Sequence, residues 1–158
     1  MMPIACISLG SNLGDRAAHI NAALRRLDAL TPDVRLIAVS SLHETKAVGP
    51  GQQPNYLNAA AMLETTLSPH DLLASMLEIE KQHGRERSIR WAARTLDLDL
   101  LLYDDAIIDD PPTLTVPHPM MHDRSFVLDP LVEIAGDLVH PVFGKTIREL
   151  QKQCHGGT

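Results

Sequence analysis

Two aspartates spaced two residues apart carry the sharpest chemical signal in the sequence. Asp97 and Asp99 alternate with leucines in R-T-L-D-L-D-L, residues 94–100. In a β-strand, residues two apart share a face and lie about 6–7 Å from each other, so both carboxylates would lie opposite the leucine layer. A pair of divalent ions would relieve their repulsion, and carboxylate oxygens suit Mg²⁺. The alternative is a solvent-facing strand whose acidic residues keep a sheet edge soluble.

A cluster of basic residues just before this strand favours the metal interpretation. Guanidinium groups bind phosphate oxygens in pairs, and Mg²⁺ neutralises the charge that remains, so the combination is typical of a polyphosphate site. The alternative is a solvated loop whose arginines pair with surface acids. A P-loop NTPase is excluded because G-S-N-L-G-D, residues 10–15, lacks both the required spacing and the lysine. The cluster contains four arginines and one tryptophan: Arg85, Arg87, Arg90, Trp91 and Arg94.

A tyrosine and an asparagine indicate where a flat ring could bind. Tyr56 and Asn58 share one face of a predicted strand and follow a loop at residues 46–55 that contains two glycines and two prolines. An asparagine amide offers a donor and an acceptor to a ring edge, while an aromatic side chain stacks on the ring face. The alternative is a packing pair on the sheet.

Two histidines four residues apart invite comparison with zinc sites. Pro117 and Pro119 argue against a regular helix around His118 and His122, and no cysteine ligand or H-E-x-x-H motif accompanies them. The favoured role of His118 is therefore that of a hydrogen-bond donor to phosphate.

The elements that must position these residues follow from hydrophobic periodicity. The order β-α-β-β-α-β predicts an α+β fold, a ferredoxin-like two-layer sandwich whose mostly antiparallel sheet is covered by helices. The chain after Ala135 is weakly patterned, and Gln151–Thr158 is a candidate for fraying with no predicted role. Two helices are predicted to begin at the N-caps Asp15 and Ser68, and a third is predicted over Phe126–Ala135. The predicted strands are Ile4–Leu9, Val34–Leu42, Tyr56–Leu63 and Thr95–Tyr103.

Composition limits the class of protein. The 158 residues predict a single domain over 1–158, and a hydrophobic fraction of 44% with 22% charged residues is typical of a globular chain. A net charge of −6 argues against a protein that coats nucleic acid. The sequence has no apolar run of membrane-spanning length and no signal peptide at its start, and its two cysteines suit a reducing compartment. We therefore expect a cytoplasmic protein without a nucleic-acid or membrane partner.

Five motifs taken together resemble one enzyme family. The combination is similar to the 6-hydroxymethyl-7,8-dihydropterin pyrophosphokinases of folate biosynthesis, over about residues 4–135. This resemblance implies a ferredoxin-like fold that uses two Mg²⁺ ions to transfer the terminal pyrophosphate of ATP to the pterin hydroxymethyl group, with release of AMP. ATP and the pterin would be its small-molecule partners, and we expect a monomer. The motifs are G-S-N-L-G-D (10–15), G-P-G-Q-Q-P-N-Y-L-N (49–58), G-R-E-R (84–87), R-W-A-A-R-T-L-D-L-D-L (90–100) and V-P-H-P-M-M-H-D-R-S-F (116–126).

The resemblance also implies roles for individual residues. Asp97 and Asp99 would ligate the magnesium ions and act in catalysis together with Arg85 and Arg94. In the pterin site, Asn58 would bond the ring edge while aromatic side chains flank the ring. The implied ATP site comprises Glu80, Arg85, Arg87, Trp91, Arg94, Leu100, Thr115, His118 and Arg124. The implied pterin site comprises Thr45, Val48, Tyr56, Asn58, Trp91 and Phe126.

Three other functions are alternatives for a ferredoxin-like domain with this sequence. A regulatory module would bind a nucleotide or pterin without turnover, although the aspartate pair argues against it. An RNA-binding ferredoxin-like domain needs a basic face with aromatic residues on its central strands, which the charge of −6 disfavours. A metal-dependent phosphohydrolase would use water as the acceptor, and only substrate tests separate it from a pyrophosphokinase.

Overall fold

A five-stranded antiparallel sheet forms the centre of the computed structural model, which describes residues 2–46, 55–83 and 96–156. In space the strands run β2-β4-β1-β5, and β3 pairs with β4 further along the same edge as β2. If β2 and β3 are taken as one interrupted strand, this is the ferredoxin-like order, which confirms the predicted fold class. The strands are β1 Ile4–Ser11, β2 Val34–Val39, β3 His43–Thr45, β4 Tyr56–Thr65 and β5 Asp97–Tyr103.

A serine interrupts the strand that was expected to run from Val34 to Leu42. The Ser40 backbone N–H donates to the Ala60 carbonyl at 2.9 Å, and the Ala60 N–H donates to the Ser40 hydroxyl at 2.8 Å. A side-chain oxygen thus takes a place in the ladder that a backbone carbonyl would otherwise hold. The chain leaves the regular strand after Val39 and rejoins β4 at His43.

Helices α1 (Arg16–Asp28) and α2 (Pro69–Gln82) cover one face of the sheet. Each begins where the sequence predicts, because the Asp15 carboxylate accepts from the Ala18 N–H and the Ser68 hydroxyl accepts from the Asp71 N–H. Every second residue of β1 and of β4 points into this core, and the residues between them point to the other face of the sheet. Fully or nearly fully buried core residues include Ile7, Leu9, Ile20, Leu27, Leu63, Leu72, Met76 and Leu98.

Two further helices pack on the opposite face of the sheet: the first matches the helix predicted at Phe126–Ala135, and the second was not predicted. Helices α3 (Ser125–Ala135) and α4 (Ile147–Gly156) cover part of this face with a second apolar cluster. The second layer explains why β5 ends in consecutive buried residues from Leu100 to Tyr103 and no longer alternates. A hairpin of β6 (Ile108–Asp110) and β7 (Leu114–Val116) leads into this layer. The second cluster includes Cys6, Ala60, Leu101, Leu128, Leu131, Ile147 and Leu150.

Helix α4 was not expected, because the chain after Ala135 was predicted to be weakly patterned, yet the apolar residues of this helix gather on one side. Only Ile147 and Leu150 of this helix are buried, and the rest of it is polar. Among the described helices, none combines the length and apolar character needed to cross a membrane.

Candidate active site

A cavity of about 610 Å³ opens on the sheet face that carries α3. Its floor comes from the three adjacent strands β4, β1 and β5, and one wall comes from the first turn of α3 together with the residue before it. The cavity brings together predicted residues from four separate parts of the chain. Those lining it are Thr45, Tyr56, Asn58, Asp97, Asp99, Arg124 and Phe126, joined by Ser8, Leu9, Gly10, Lys46, Ser125 and Val127.

Strand register places the two halves of the candidate site side by side. Gly10 on β1 pairs with Asn58 on β4 and with Asp97 on β5. Directly opposed residues share a face, and adjacent strands lie about 4.8 Å apart, so Asn58 and Asp97 face the same cavity across roughly 10 Å. Asp99 occupies the next place on that face, opposite Ser8.

Gly10 keeps the floor of the cavity open. A Cβ at this position would lie 3.2 Å from Oδ1 of Asn58 and 3.8 Å from the Tyr56 ring. The predicted strand ends at Leu9, but Gly10 lies inside β1, and Gly14, with a φ of +69°, lies in the turn that follows. The glycine therefore leaves bare backbone between the amide and the carboxylates.

The carboxylates have the orientation that alternation predicts. Leu96, Leu98 and Leu100 are buried, while Asp97 and Asp99 are partly exposed on the cavity side. The Asp99 side chain keeps 48% of its exposure, so its oxygens remain accessible to a ligand.

The donor set fits magnesium better than zinc. Mg²⁺ commonly takes one or two carboxylates and completes its shell with water and substrate phosphates, and Asp97 with Asp99 offers that minimum. Within the described ranges, no group of three or more His, Cys, Asp or Glu side chains could hold a metal ion by itself. The zinc alternative at His118 and His122 gains no support, because His122 instead lies against Phe143 with ring centroids 4.7 Å apart.

His118 is held beside the carboxylates with a defined tautomer. Its backbone N–H donates to the Leu101 carbonyl at 2.9 Å, and its Nδ1 accepts from the Met120 N–H at 3.2 Å. The neutral ring therefore carries its proton on Nε2, which lies 4.0 Å from Oδ1 of Asp99. Burial lowers the pKa of His118, Asp99 opposes this shift, and Arg124 adds to it. The geometry presents an N–H donor at the edge of the carboxylate pair.

The other half of the cavity combines an amide with aromatic surfaces. Asn58 is 8% exposed, and its Nδ2 donates to the Thr45 hydroxyl at 2.8 Å, which fixes the orientation of the amide. Phe126 is 39% exposed, and the Arg124 guanidinium carbon lies 5.6 Å from its ring centroid. Tyr56 lines the same cavity from β4. A flat ring with polar edges matches this set of groups.

Some predicted residues lie elsewhere. Glu80 is 4% exposed, and its Oε2 accepts from the Leu98 N–H at 2.7 Å, between the two aspartates on β5. Leu100 is part of the core, and Thr115 lies on β7. Glu80, Leu100, Thr115 and His118 are not among the residues that line the cavity. The predictions for Val48, Arg85, Arg87, Trp91 and Arg94 fall outside the described residues.

Sequence reasoning missed several lining residues. Ser8 and Gly10 could have been found from strand register, since they oppose Asp99 and Asp97. Lys46 directly follows Thr45, and Ser125 is the first residue of α3, but neither side chain belongs to a pattern that marks a site.

The antiparallel α+β fold with paired carboxylates in its cavity defines a candidate metal-binding enzyme, and comparison with known families identifies which kind. Residues 6–136 match the family model described as 7,8-dihydro-6-hydroxymethylpterin-pyrophosphokinase (HPPK). The chain belongs to this family. The predicted resemblance and the predicted folate-pathway pyrophosphokinase enzyme are thereby confirmed.

Similar proteins cover almost the whole chain. The 2-amino-4-hydroxy-6-hydroxymethyldihydropteridine pyrophosphokinase of Haemophilus influenzae is 47% identical over 152 residues, which are 96% of this chain and 93% of the relative. The Pseudomonas aeruginosa protein of the same name is 45% identical over 148 residues, 94% of this chain and 90% of the relative. The wild-type Plasmodium falciparum HPPK-DHPS crystal structure is 15% identical with a TM-score of 0.74, and the match covers 97% of this chain and 45% of that one.

Proposed function

We propose that this pyrophosphokinase transfers the β,γ-pyrophosphate of ATP to the hydroxymethyl oxygen of 6-hydroxymethyl-7,8-dihydropterin. The hydroxyl oxygen loses its proton to solvent and forms a bond to the β-phosphorus, the bond from that phosphorus to the bridging α,β-oxygen breaks, and AMP leaves. Family membership supports this reaction. The observation that supports it is the row of Asn58, Gly10 and Asp97, which brings the amide proposed to bind the ring and a carboxylate proposed to bind metal to one cavity floor.

The pterin would bind at the β4 end of the cavity. Because Nδ2 of Asn58 already donates to Thr45, the amide presents its carbonyl oxygen and its second N–H in a fixed direction to a ring edge. Tyr56 and Phe126 would contact the ring faces. The low exposure of Asn58 removes competing water, which strengthens its discrimination between ring edges.

The polyphosphate would bind at the β5 end. Asp97 and Asp99 would hold two Mg²⁺ ions, and these ions, when bound, would neutralise charge on the phosphates. The Nε2–H of His118 and the Arg124 guanidinium would donate to phosphate oxygens, as would Arg85 and Arg94 by family resemblance. Transfer to phosphorus depends on positioning and electrostatic stabilisation, so no protein nucleophile is required.

We also propose one domain over residues 1–158, a monomeric enzyme and a cytoplasmic location. Both cysteines, Cys6 and Cys154, are free thiols, which supports a reducing compartment. Burial raises the pKa of Cys6 to about 12, so this thiol stays protonated and unreactive inside the second apolar cluster.

The direct test mixes the protein with ATP, Mg²⁺ and 6-hydroxymethyl-7,8-dihydropterin and separates the products by chromatography. Pterin-dependent AMP, equimolar with a pterin diphosphate, is the expected result. Formation of ADP, or of free phosphate without the pterin, would instead indicate a kinase or a phosphohydrolase. Binding of both ligands without turnover would indicate a regulatory module.

A further inference from the structure

The Glu133 carboxylate lies outside the cavity and links two elements that border it, α3 and β3. We propose that Glu133 is a positioning residue for pterin binding, acting through His43 on the Thr45–Asn58 pair. This inference rests on the proposed function, because it takes that pair as part of the pterin site.

Glu133 makes an unusually complete set of contacts for a partly exposed side chain. Its Oε2 lies 2.5 Å from Nε2 of His43, and its Oε1 accepts from the Ser41 N–H at 2.8 Å. The Ser41 hydroxyl donates to the same carboxylate at 2.8 Å and 3.0 Å. These bonds join α3 to the chain segment that enters β3.

His43 connects this carboxylate to the candidate site. On β3 it pairs directly with Asn58, so the two side chains share the sheet face on which the cavity opens. Two residues further on the same face, Thr45 accepts the hydrogen bond from Nδ2 of Asn58. A displacement of His43 would therefore move the acceptor that orients the Asn58 amide.

β3 depends on side-chain contacts because it has only three residues. On its other face, Glu44 accepts from Arg16 and from Asn55, each at 3.2 Å. The strand is thus held from both faces, by α1 through Glu44 and by α3 through His43. Removing the contact with α3 would leave β3 held by its pairing with β4 and by the Glu44 contacts on its other face, so the position of Thr45 would be less fixed.

The arrangement does not fit a nucleophilic relay. The Ser41 hydroxyl lies 3.3 Å from Nε2 of His43, the same nitrogen that Glu133 contacts. A serine, histidine and acid that act in sequence need the two ring nitrogens to have different partners.

Glu133 also lies too far along α3 to touch a ligand itself. It is six residues beyond Val127, the last lining residue of α3 in the described structure, which corresponds to about 9 Å of helix. Hydrogen bonds from the Ser41 backbone and from His43 hold the pKa of Glu133 below its usual value, so it remains an ionised acceptor near neutral pH.

The test compares Glu133→Gln with Asp129→Asn. Asp129 is a matched control because it lies on the same helix and accepts from Gln151 at 3.0 Å and from His155 at 2.6 Å, but these bonds lead to α4. We expect Glu133→Gln to raise the KM for the pterin about five- to tenfold, as the loss of an oriented hydrogen bond would do, and to change the KM for ATP less than about twofold. Asp129→Asn should leave both values near wild type.

A double variant and a binding measurement complete the test. In a Thr45→Val background, Glu133→Gln should add less than about twofold to the pterin KM, because the two changes remove one coupled contact. Pterin affinity is also measured by calorimetry with a non-hydrolysable ATP analogue. A pterin KM and affinity within twofold of wild type for Glu133→Gln, or equal effects of the two α3 variants, would overturn the inference. Wild-type pterin binding without AMP formation would reject the proposed reaction and leave the binding comparison decisive, whereas a wild type that binds no pterin would overturn both.

Discussion

Asp97 and Asp99 owe their position to the leucines around them. Burial of Leu96, Leu98 and Leu100 against the α1 and α2 layer fixes the rotation of β5, and that rotation turns both carboxylates toward the cavity. Glu80 accepts from the Leu98 N–H and so holds the strand between the two aspartates. The pair is therefore preorganised by the core before any ligand arrives.

Replacing either aspartate tests the metal assignment. Asp97→Asn and Asp99→Asn should each lower turnover by more than about a hundredfold, because a neutral amide is a poor ligand for Mg²⁺. The midpoint of thermal unfolding should stay close to wild type, since both side chains lie outside the apolar core. Asp105→Asn, at an exposed turn, serves as a control with normal activity. Steady-state AMP formation is the measurement, and activity within about tenfold of wild type would contradict the assignment.

Asn58 provides a second prediction at the level of one side chain. Asn58→Ala removes both groups that face the ring edge, so pterin affinity should fall by at least about tenfold while ATP affinity changes little. Thr45→Val keeps the size of the side chain but removes the hydroxyl that accepts from Nδ2 of Asn58 at 2.8 Å. This variant should lose less pterin affinity than Asn58→Ala. Calorimetry with each ligand separates the two affinities. Equal losses for ATP and the pterin would move Asn58 out of the pterin site.

Among the elements, those with strong alternation or clear caps could be predicted, and the others depend on long-range contacts. β5 and the starts of α1 and α2 follow from local patterns. The break between β2 and β3 depends on one hydroxyl that joins the ladder opposite Ala60, which no local pattern reveals. Helix α4 has only two buried residues, Ile147 and Leu150, and is stabilised by packing on α3.

The segment between α3 and α4 contains a histidine that links stability to pH. His140 is 3% exposed, and its Nδ1 accepts from the backbone N–H groups of Val142 and Phe143 at 3.2 Å and 3.3 Å. Burial lowers the pKa of His140, and the nearby His122 adds to the shift. The unfolded chain therefore binds the proton more readily than the folded protein. This contribution to stability is present above about pH 6.5 and is lost as the pH falls below that value.

A variant without the titrating ring should separate this contribution from the others. His140→Asn retains an acceptor near the position of Nδ1 but does not titrate in this range. Urea unfolding between about pH 5 and 7.5 should give a flatter dependence of the unfolding free energy on pH for the variant than for wild type. Contributions from other histidines, such as His83, are common to both proteins and cancel in the comparison. Parallel curves would show that His140 does not titrate on unfolding.

At the scale of the whole molecule, the sheet is covered unequally on its two faces. The α1 and α2 layer packs along one face as a continuous core, whereas α3 and α4 leave part of the other face open as the cavity. The site could be predicted in part, because motifs mark its polar residues. Its assembly could not, because the neighbours Asn58 and Asp97 are far apart in sequence and meet only through β1.

The contact between α3 and α4 should contribute to global stability with little effect on the cavity. Ile147→Ala removes a fully buried side chain between α3 and α4 and should lower the unfolding free energy by about 2–4 kcal/mol. The KM for each substrate should stay within about twofold of wild type below the unfolding temperature, because the cavity is lined by the other end of α3. Gln153→Ala, at an exposed position of the same helix, is the control for stability. A large change in either KM would show that the contact between α3 and α4 is coupled to the site.

The bare backbone at Gly10 has a consequence for inhibition. Compounds that fill the space between Asn58 and the aspartates would rest on main-chain atoms, which point mutations leave in place. Even alanine at this position would put its methyl carbon 3.2 Å from Oδ1 of Asn58. A mutation that blocked such a compound would crowd the amide on which the natural substrate is proposed to depend, so resistance arising at this position would carry a fitness cost.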